Sequence, residues 1–113
     1  MDIEWLRNFC AMLPVVTEDI KWGNDLCFSI GGKMFCVAGL QEGLKISFKA
    51  TADEFEELCS RKGVIPASYM ARHKWILAEA AAFKKKEWEY YIRQSYELVR
   101  EKLSQKIKKG LSG

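Results

Sequence analysis

Apolar residues recur at two different spacings along this chain, and the change of spacing marks its elements. Near the N-terminus they recur every three or four positions, which predicts an amphipathic first helix that ends before Pro14. These residues are Ile3, Leu6, Phe9, Cys10 and Leu13. Between Asp19 and Phe48 the pattern changes to short apolar runs separated by glycine-containing turns. This second pattern predicts an antiparallel meander of about four strands.

A capping box predicts where the second helix begins. In Thr51-Ala-Asp-Glu54 the threonine hydroxyl can accept the third helical N–H, while the glutamate reaches back to the N–H of the cap residue. Gly63 suits the left-handed residue that terminates such a helix. We therefore predict a helix between Thr51 and Gly63.

The rest of the chain reads as an extended segment, a short turn, a strand and a long helix. Val64-Ile65-Pro66 is expected to be extended, residues 67–72 to form a helical turn, and residues 74–79 to form the last strand. A long amphipathic helix is predicted from about Lys85, ending before Gly110. These elements predict an α+β two-layer sandwich, an antiparallel β-sheet with the N- and C-terminal helices packed on one face.

The hairpin around Gly31-Gly32 can be given a register, because two glycines suit a two-residue turn with positive φ. Counting outward pairs Ile30 with Lys33, Ser29 with Met34, Phe28 with Phe35, and Cys27 with Cys36. This register places Phe28, Phe35 and Val37 on the core face. It also predicts that the Cys27 and Cys36 thiols are neighbours on the other face, with a redox switch as the minority interpretation.

The next strand alternates between apolar and polar residues. Leu44, Ile46 and Phe48 are predicted to face the core, and Lys45, Ser47 and Lys49 to face solvent. Phe48 then shares a face with Val37 only if Glu42-Gly43 forms a two-residue turn or lies in a four-residue loop.

Length and composition indicate one domain. The 113 residues, 49% of them hydrophobic, predict a single domain over residues 1–113, with its core at about 2–105 and a frayed tail at 106–113. The N-terminal residues lack a signal-peptide pattern, and the apolar runs are shorter than a bilayer span. We expect a cytoplasmic protein with no membrane partner.

The sequence contains no recognisable catalytic or metal-binding motif. The four cysteines, Cys10, Cys27, Cys36 and Cys59, show no C-x-x-C spacing, and His73 is the single histidine. His73 lies between two cations and has no nucleophile assigned to it. We predict a protein that is not an enzyme and that uses no cofactor and no metal.

Three segments carry a family resemblance, namely Gly31-Gly-Lys-Met-Phe35, Ile65-Pro-Ala-Ser-Tyr-Met-Ala-Arg-His-Lys-Trp-Ile76 and Gln94-Ser-Tyr-Glu-Leu-Val99. In this order they resemble the MmcQ/YjbR family of small bacterial proteins. The resemblance implies a frataxin-like (CyaY-like) "double-wing" fold and a candidate role in DNA binding. It does not extend to iron handling, because the acidic residues Asp2, Glu4, Glu18 and Asp19 are too few and too scattered to form an acidic ridge.

Charge and aromatic residues give a candidate nucleic-acid site. The net charge is +3, and its excess is C-terminal, since residues from Lys84 onward hold nine Lys/Arg against four Asp/Glu. Basic residues beside aromatics can contact phosphates and stack on bases. The predicted site is a basic sheet face together with the segment Arg72–Trp75, and its residues are Lys33, Lys45, Lys49, Tyr69, Arg72, Lys74 and Trp75.

Two kinds of partner fit this site. The first is double-stranded DNA. The alternative is another protein or a small ligand, bound without nucleic-acid activity, because the same aromatic residues also suit a core and the same lysines suit an exposed strand. A monomer is the favoured oligomeric state.

Overall fold

A computed structural model of the protein describes residues 1–40, 43–68 and 70–112, with side chains as far as residue 103. The helices and strands are α1 (Ile3–Ala11), β1 (Val16–Lys21), β2 (Asp25–Ile30), β3 (Lys33–Gly39), β4 (Lys45–Lys49), α2 (Ala52–Cys59), β5 (Val64–Pro66), β6 (Trp75–Glu79) and α3 (Lys85–Ser112). Two short 3-10 helices, Ala71–His73 and Ala80–Ala82, flank β6. The six strands form an open antiparallel sheet in the order β1-β2-β3-β4-β6-β5.

Side-chain caps fix where the first two helices begin. The Asp2 carboxylate accepts the Trp5 N–H at 2.8 Å, and the Thr51 hydroxyl accepts the Glu54 N–H at 3.2 Å. The threonine half of the predicted capping box is thus confirmed. The Glu54 carboxylate does not return to the cap, because it accepts a hydrogen bond from the hydroxyl of Tyr90 on α3 instead.

All three helices cover one face of the sheet and enclose a single core. They contribute Leu6, Phe9, Cys10, Leu58, Trp88, Ile92, Tyr96 and Val99 to the cluster that contains Phe28, Phe35 and Phe48. The phenylalanines predicted to face the core, Phe28, Phe35 and Phe48, are at most 1% exposed, and Leu6 and Val99 on the helices are buried as well. The predicted α+β sandwich is confirmed.

The predicted hairpin register is correct for the two pairs next to the glycine turn and wrong from Phe28 onward. The two pairs beside the glycine turn are as expected, but a β-bulge then shifts the register. One extra residue on β3, Phe35, is accommodated, so that Phe28 faces Cys36 and Cys27 faces Val37. Neither the Phe28–Phe35 pair nor the Cys27–Cys36 pair is formed.

The bulge reverses the face of every later residue on β3. Cys36 joins the core on the helix side, where a hydrogen bond between its thiol and that of Cys10 on α1, together with burial, raises the pKa of the Cys36 thiol. Cys27 lies on the opposite face, so the predicted contact between its thiol and that of Cys36 is wrong. Phe48 pairs with Cys36, while Val37 lies on the outer face, which corrects the expected grouping of Phe48 with Val37.

Smaller differences concern the ends of elements. The long helix α3 continues through Gly110 to Ser112 instead of ending before the glycine. The predicted helical turn is a 3-10 helix at Ala71–His73, and the extended Val64–Pro66 segment is a strand that pairs with β6. Glu42 of the predicted second turn lies outside the described residues. None of the helices in the described ranges has an apolar stretch long enough to cross a bilayer.

Candidate functional site: a cationic cleft

Strands β3 and β4 part at one end of the sheet. Their last pair is Cys36 with Phe48, yet β3 continues beside β2 as far as Lys33, and β4 continues beside β6 as far as Lys49. The two halves of the sheet therefore diverge from this point. The separation opens a gap at the sheet end that contains the Gly31-Gly32 turn.

Ser95 of α3 occupies the root of this gap. Its hydroxyl donates a hydrogen bond of 2.6 Å to the Phe35 carbonyl and accepts one of 2.9 Å from the Lys49 N–H. Phe35 precedes and Lys49 follows the last pair, Cys36 with Phe48, so both backbone groups lie where the strands part and one buried hydroxyl replaces the missing ladder bonds. The helix thereby holds the strands apart while satisfying their polar groups.

Beyond Ser95 the gap widens into a cavity of about 390 Å³, which we call the Lys49 cleft. Its apolar lining comes from Met34, Met70, Trp75, Val99 and Leu103. Its polar lining comes from Lys33, Lys49, His73 and Lys102. No acidic side chain is among the described residues that line it, which is the arrangement expected of a pocket for an anion with an apolar part.

Lys49 is held in an unfavourable position for a free ammonium group. Partial burial, followed by a hydrogen bond and like charge from Lys102, lowers the pKa of Lys49 to about 8. A bound anion would relieve the repulsion between the two lysines. The pair thus provides two donors directed at the same small volume.

A second cavity, of about 380 Å³, adjoins the first and shares Lys49, His73 and Lys102 with it. Arg72 and Lys74 complete its cationic lining. The Arg72 guanidinium donates to His73 Nε2 at 3.3 Å, and the Lys74 ammonium lies 5.1 Å from the centroid of the Phe55 ring. The cationic surface therefore extends from the hairpin tip at Lys33 to the N-terminal end of α2.

The structure brings together most of the site residues predicted from the sequence. Lys33, Lys49 and Trp75 line the Lys49 cleft, and Arg72 and Lys74 line the adjoining cavity. Trp75 is a buried wall of the cleft, 4% exposed, so its ring is covered rather than presented as an open stacking platform. Tyr69 lies outside the described residues.

Lys45 is not part of this arrangement. It lies at the other end of β4, opposite Glu79 of β6, and lines a separate cavity with Leu77 and Ile65. Lys45 lies four positions before Lys49 on this strand, about 13 Å along the chain. Between the two lysines the outer face carries Val37, Ser47 and Leu77, so it is not a continuous basic surface.

Sequence reasoning missed Lys102 as a cleft residue and Ser95 as the bridge between strands, and it included His73 only as part of the Arg72–Trp75 segment. A signal for two of them was present, because Ser95, Val99 and Lys102 follow one another at helical spacing and so share a face of α3. What the spacing could not reveal is that this face meets the parted ends of β3 and β4.

Comparison with known proteins supports the fold and the family. The YjbR family model matches residues 11–98, which include β3, β4, the segment after β5 and α3 as far as Leu98. The chain belongs to the YjbR family. Its fold is also that of a crystal structure of a Pseudomonas syringae protein, with a TM-score of 0.75 and 17% sequence identity over 88% of this chain and 99% of the other. None of the curated proteins matches this YjbR-family chain significantly.

Proposed function

We propose that this YjbR-family protein is a binding protein that takes an anion with an apolar body into the Lys49 cleft. The observation that carries the proposal is the convergence of Lys33, Lys49 and Lys102 over an apolar floor, with no acidic side chain among the described lining residues. A cluster of uncompensated cations attracts a negative group, and the lining of Met34, Trp75 and its neighbours favours a ligand that also buries apolar surface. The group at the lysines is a phosphate or a carboxylate.

Lys49 gives the proposal a pH signature. An anion binds best to the ammonium form, whose pKa is about 8 in the free protein. Affinity should therefore be full below pH 8 and fall as the pH rises above it, and binding near pH 8 should be accompanied by proton uptake. A ligand held only by apolar contacts would show neither effect.

The test compares three probes that share one apolar body, namely 2-naphthyl phosphate, 2-naphthoate and neutral 2-naphthol, by calorimetric titration. We expect the phosphate or the carboxylate to bind more tightly than naphthol, and the better of the two identifies the preferred anionic group. Lys49→Met should weaken that binding about 10- to 100-fold, as for the loss of a charged hydrogen bond. Lys45→Met is the matched control, since it removes a lysine from the same strand outside the cleft.

Two results would contradict the proposal. One is equal binding of naphthol and of the anions, which would mean that the lysines contribute nothing. The other is an equal loss in Lys45→Met and Lys49→Met, which would place the binding outside the cleft.

A second candidate function is binding of duplex DNA, and a specific observation favours it. Lys33 and Arg72 are exposed at the two ends of the cationic surface that spans both cavities. They can therefore reach the phosphates of a DNA duplex, which is too large to enter the cleft itself. Phosphate contacts position a protein on DNA without reading its sequence. DNA would then lie across the mouth of the cleft instead of along the sheet face.

A duplex titration at two salt concentrations tests this candidate. The logarithm of affinity should fall by about 0.9 for each neutralised phosphate per tenfold increase in salt. Arg72→Glu and Lys33→Glu should weaken binding to all sequences alike, whereas Lys45→Glu, away from the mouth, should change it little. Salt-independent affinity, or an effect of Lys45→Glu as large as that of Arg72→Glu, would refute DNA binding at this surface.

A further inference from the structure

Strand β1 is at one end of the strand order and leaves one side without a partner in the described part of the chain. Two large apolar side chains are exposed at this edge, since Ile20 of β1 is 66% exposed and Trp22, directly after the strand, is 70% exposed. Ile20 also lines a cavity with the apolar residues Ile3, Leu26 and Leu40 and the charged residues Arg7, Glu18 and Asp19. Exposed apolar groups grouped at a strand edge are typical of an interaction surface.

The backbone of β1 shows which of its groups face this open edge. The Ile20 N–H donates to the Asp19 carboxylate at 2.9 Å, so this amide is not used by the ladder to β2. Residues of an antiparallel strand alternate in the direction of their N–H and C=O groups. Within β1, Glu18 and Ile20 therefore direct theirs outward, and Asp19 and Lys21 direct theirs toward β2.

We propose that β1 pairs with β1 of a second copy of this chain, in an antiparallel register centred on Ile20. The two copies are related by a two-fold axis normal to the sheet, which keeps the same face of each sheet on the same side. Directly opposed residues must have side chains on the same face, so their residue numbers add up to an even number. The outward-facing N–H and C=O groups of Ile20 then form a hydrogen-bonded pair with those of Ile20 in the second copy. The result is a dimer with a twelve-stranded continuous sheet, built from two copies of the six-stranded sheet.

The charges of the opposed side chains favour the register centred on Ile20 over the registers centred on nearby residues. With Ile20 opposite Ile20, each Asp19 faces Lys21 of the other copy, in the non-hydrogen-bonded positions where side chains are closest. Moving the centre by one residue places Asp19 opposite Asp19 or Lys21 opposite Lys21, and moving it by two toward the N-terminus opposes the Glu18 carboxylates. Only the Ile20-centred register of these four pairs opposite charges.

Dimer formation would also replace a hydrogen bond within one copy by a backbone hydrogen bond and an ion pair between the two copies. In the single copy the Asp19 carboxylate satisfies the edge amide of Ile20. In the dimer the amide would donate to the Ile20 carbonyl of the second copy, and the carboxylate would be free to meet Lys21. The interface is small, so we expect a dissociation constant on the order of 10 µM, in the range of weak association. This proposal departs from the monomer favoured by the sequence.

Sedimentation velocity of the full chain, from about 1 to 500 µM, tests the proposal on either side of that constant. Wild-type protein should pass from monomer to dimer. Lys21→Asp should raise the dissociation constant at least about tenfold, because aspartates would then oppose each other twice. The double variant Asp19→Lys/Lys21→Asp should restore dimerisation, since it reverses each opposed pair of charges and keeps it complementary.

Lys86→Asp is the matched control, because it makes the same charge change at an exposed position of α3 away from the edge. It should leave association unchanged, and circular dichroism should show every variant folded. A wild-type protein that stays monomeric over the whole range would overturn the proposal. So would dimers that persist unchanged in Lys21→Asp, or that the charge swap fails to restore.

Discussion

The hydroxyl of Ser95 donates a hydrogen bond of 2.6 Å to the backbone carbonyl of Phe35, sixty positions earlier in the chain. Together with the bond that Ser95 accepts from the Lys49 amide, it ties α3 to both strands where they part. The cleft therefore begins at a polar contact between helix and sheet. Its shape depends on that contact as well as on the apolar core beneath it.

Replacement of Ser95 by alanine removes a single hydroxyl group, yet it should lower the free energy of unfolding substantially. It leaves the Phe35 carbonyl and the Lys49 N–H without their partner at a buried position. Loss of about 2–4 kcal/mol of unfolding free energy is expected in urea titrations, from one to two unsatisfied buried groups. Ser60→Ala is the control, an exposed serine whose hydroxyl also bonds a backbone carbonyl, and it should change stability by less than about 1 kcal/mol. Equal effects would mean that the Ser95 bridge is replaced by water at no cost.

The glycine turn at the hairpin tip lies against Leu103 in the C-terminal half of α3. A Cβ on Gly31 would lie 2.8 Å from a Leu103 methyl, whereas a Cβ on Gly32 would meet nothing within 4 Å. Both residues have positive φ, so alanine at either should cost about 1–2 kcal/mol from backbone strain. Gly31→Ala should cost more, because it also collides with Leu103.

A double-mutant cycle checks this assignment. In a Leu103→Ala background the two glycine substitutions should become equally costly, as measured by chemical unfolding, because the colliding methyl is gone. A difference that persists in that background would show that the extra cost does not come from Leu103.

Lys49 should make stability depend on pH in alkaline solution. Its pKa is about 8 in the folded protein, below its ordinary value of 10.5, so between these values the unfolded chain binds more protons. Unfolding free energy should therefore rise with pH over this window, and Lys49 should add no slope below it, where both states are protonated. Lys49→Met should remove that part of the rise and increase stability at pH 7, because the methionine is neither charged nor repelled by Lys102. Thermal melts of wild type, Lys49→Met and the control Lys45→Met at several pH values would measure the part of the rise that is due to Lys49. A rise of the same size in Lys49→Met would refute the assignment.

The cysteines should react in an order set by burial. Cys59 is partly exposed, whereas Cys10, Cys27 and Cys36 are buried. The pKa of Cys36 is raised by its hydrogen bond with Cys10 and by burial, which keeps it in the unreactive thiol form. Mass spectrometry after brief alkylation should find Cys59 modified first. No Cys27–Cys36 disulfide should form in the folded protein, because the two residues lie on opposite faces of the sheet. Early modification of Cys36 or a crosslink between these two would contradict the register.

Local rules were sufficient for the elements and for most of the core. Period-two and period-3.6 patterns depend on residues within one element, and they predicted the buried phenylalanines and the helices that cover them. The cap at Thr51 and the turn at Gly31-Gly32 are likewise local, and both occur where they were expected. The motifs also indicated the family that the comparison shows.

What the sequence could not supply is the point at which a regular ladder is interrupted. Counting from the glycine turn assumes unbroken pairing, but the bulge at Phe35 lets this residue and Cys36 both enter the core, where Phe35 packs edge to face with Tyr96 of α3. That gain depends on a helix sixty residues away, and no local pattern contains it.

The candidate site divides in the same way. The sequence by itself determined that Lys33, Lys49 and the Arg72–Trp75 segment carry cations beside aromatic residues. Only the tertiary structure decided that Lys45 stands apart and that Lys102 joins Lys49 over an apolar floor. The physical reason is that residue types and periodicity set the face of each element, whereas a cleft forms where elements distant in sequence stop pairing and a third element satisfies the groups left open.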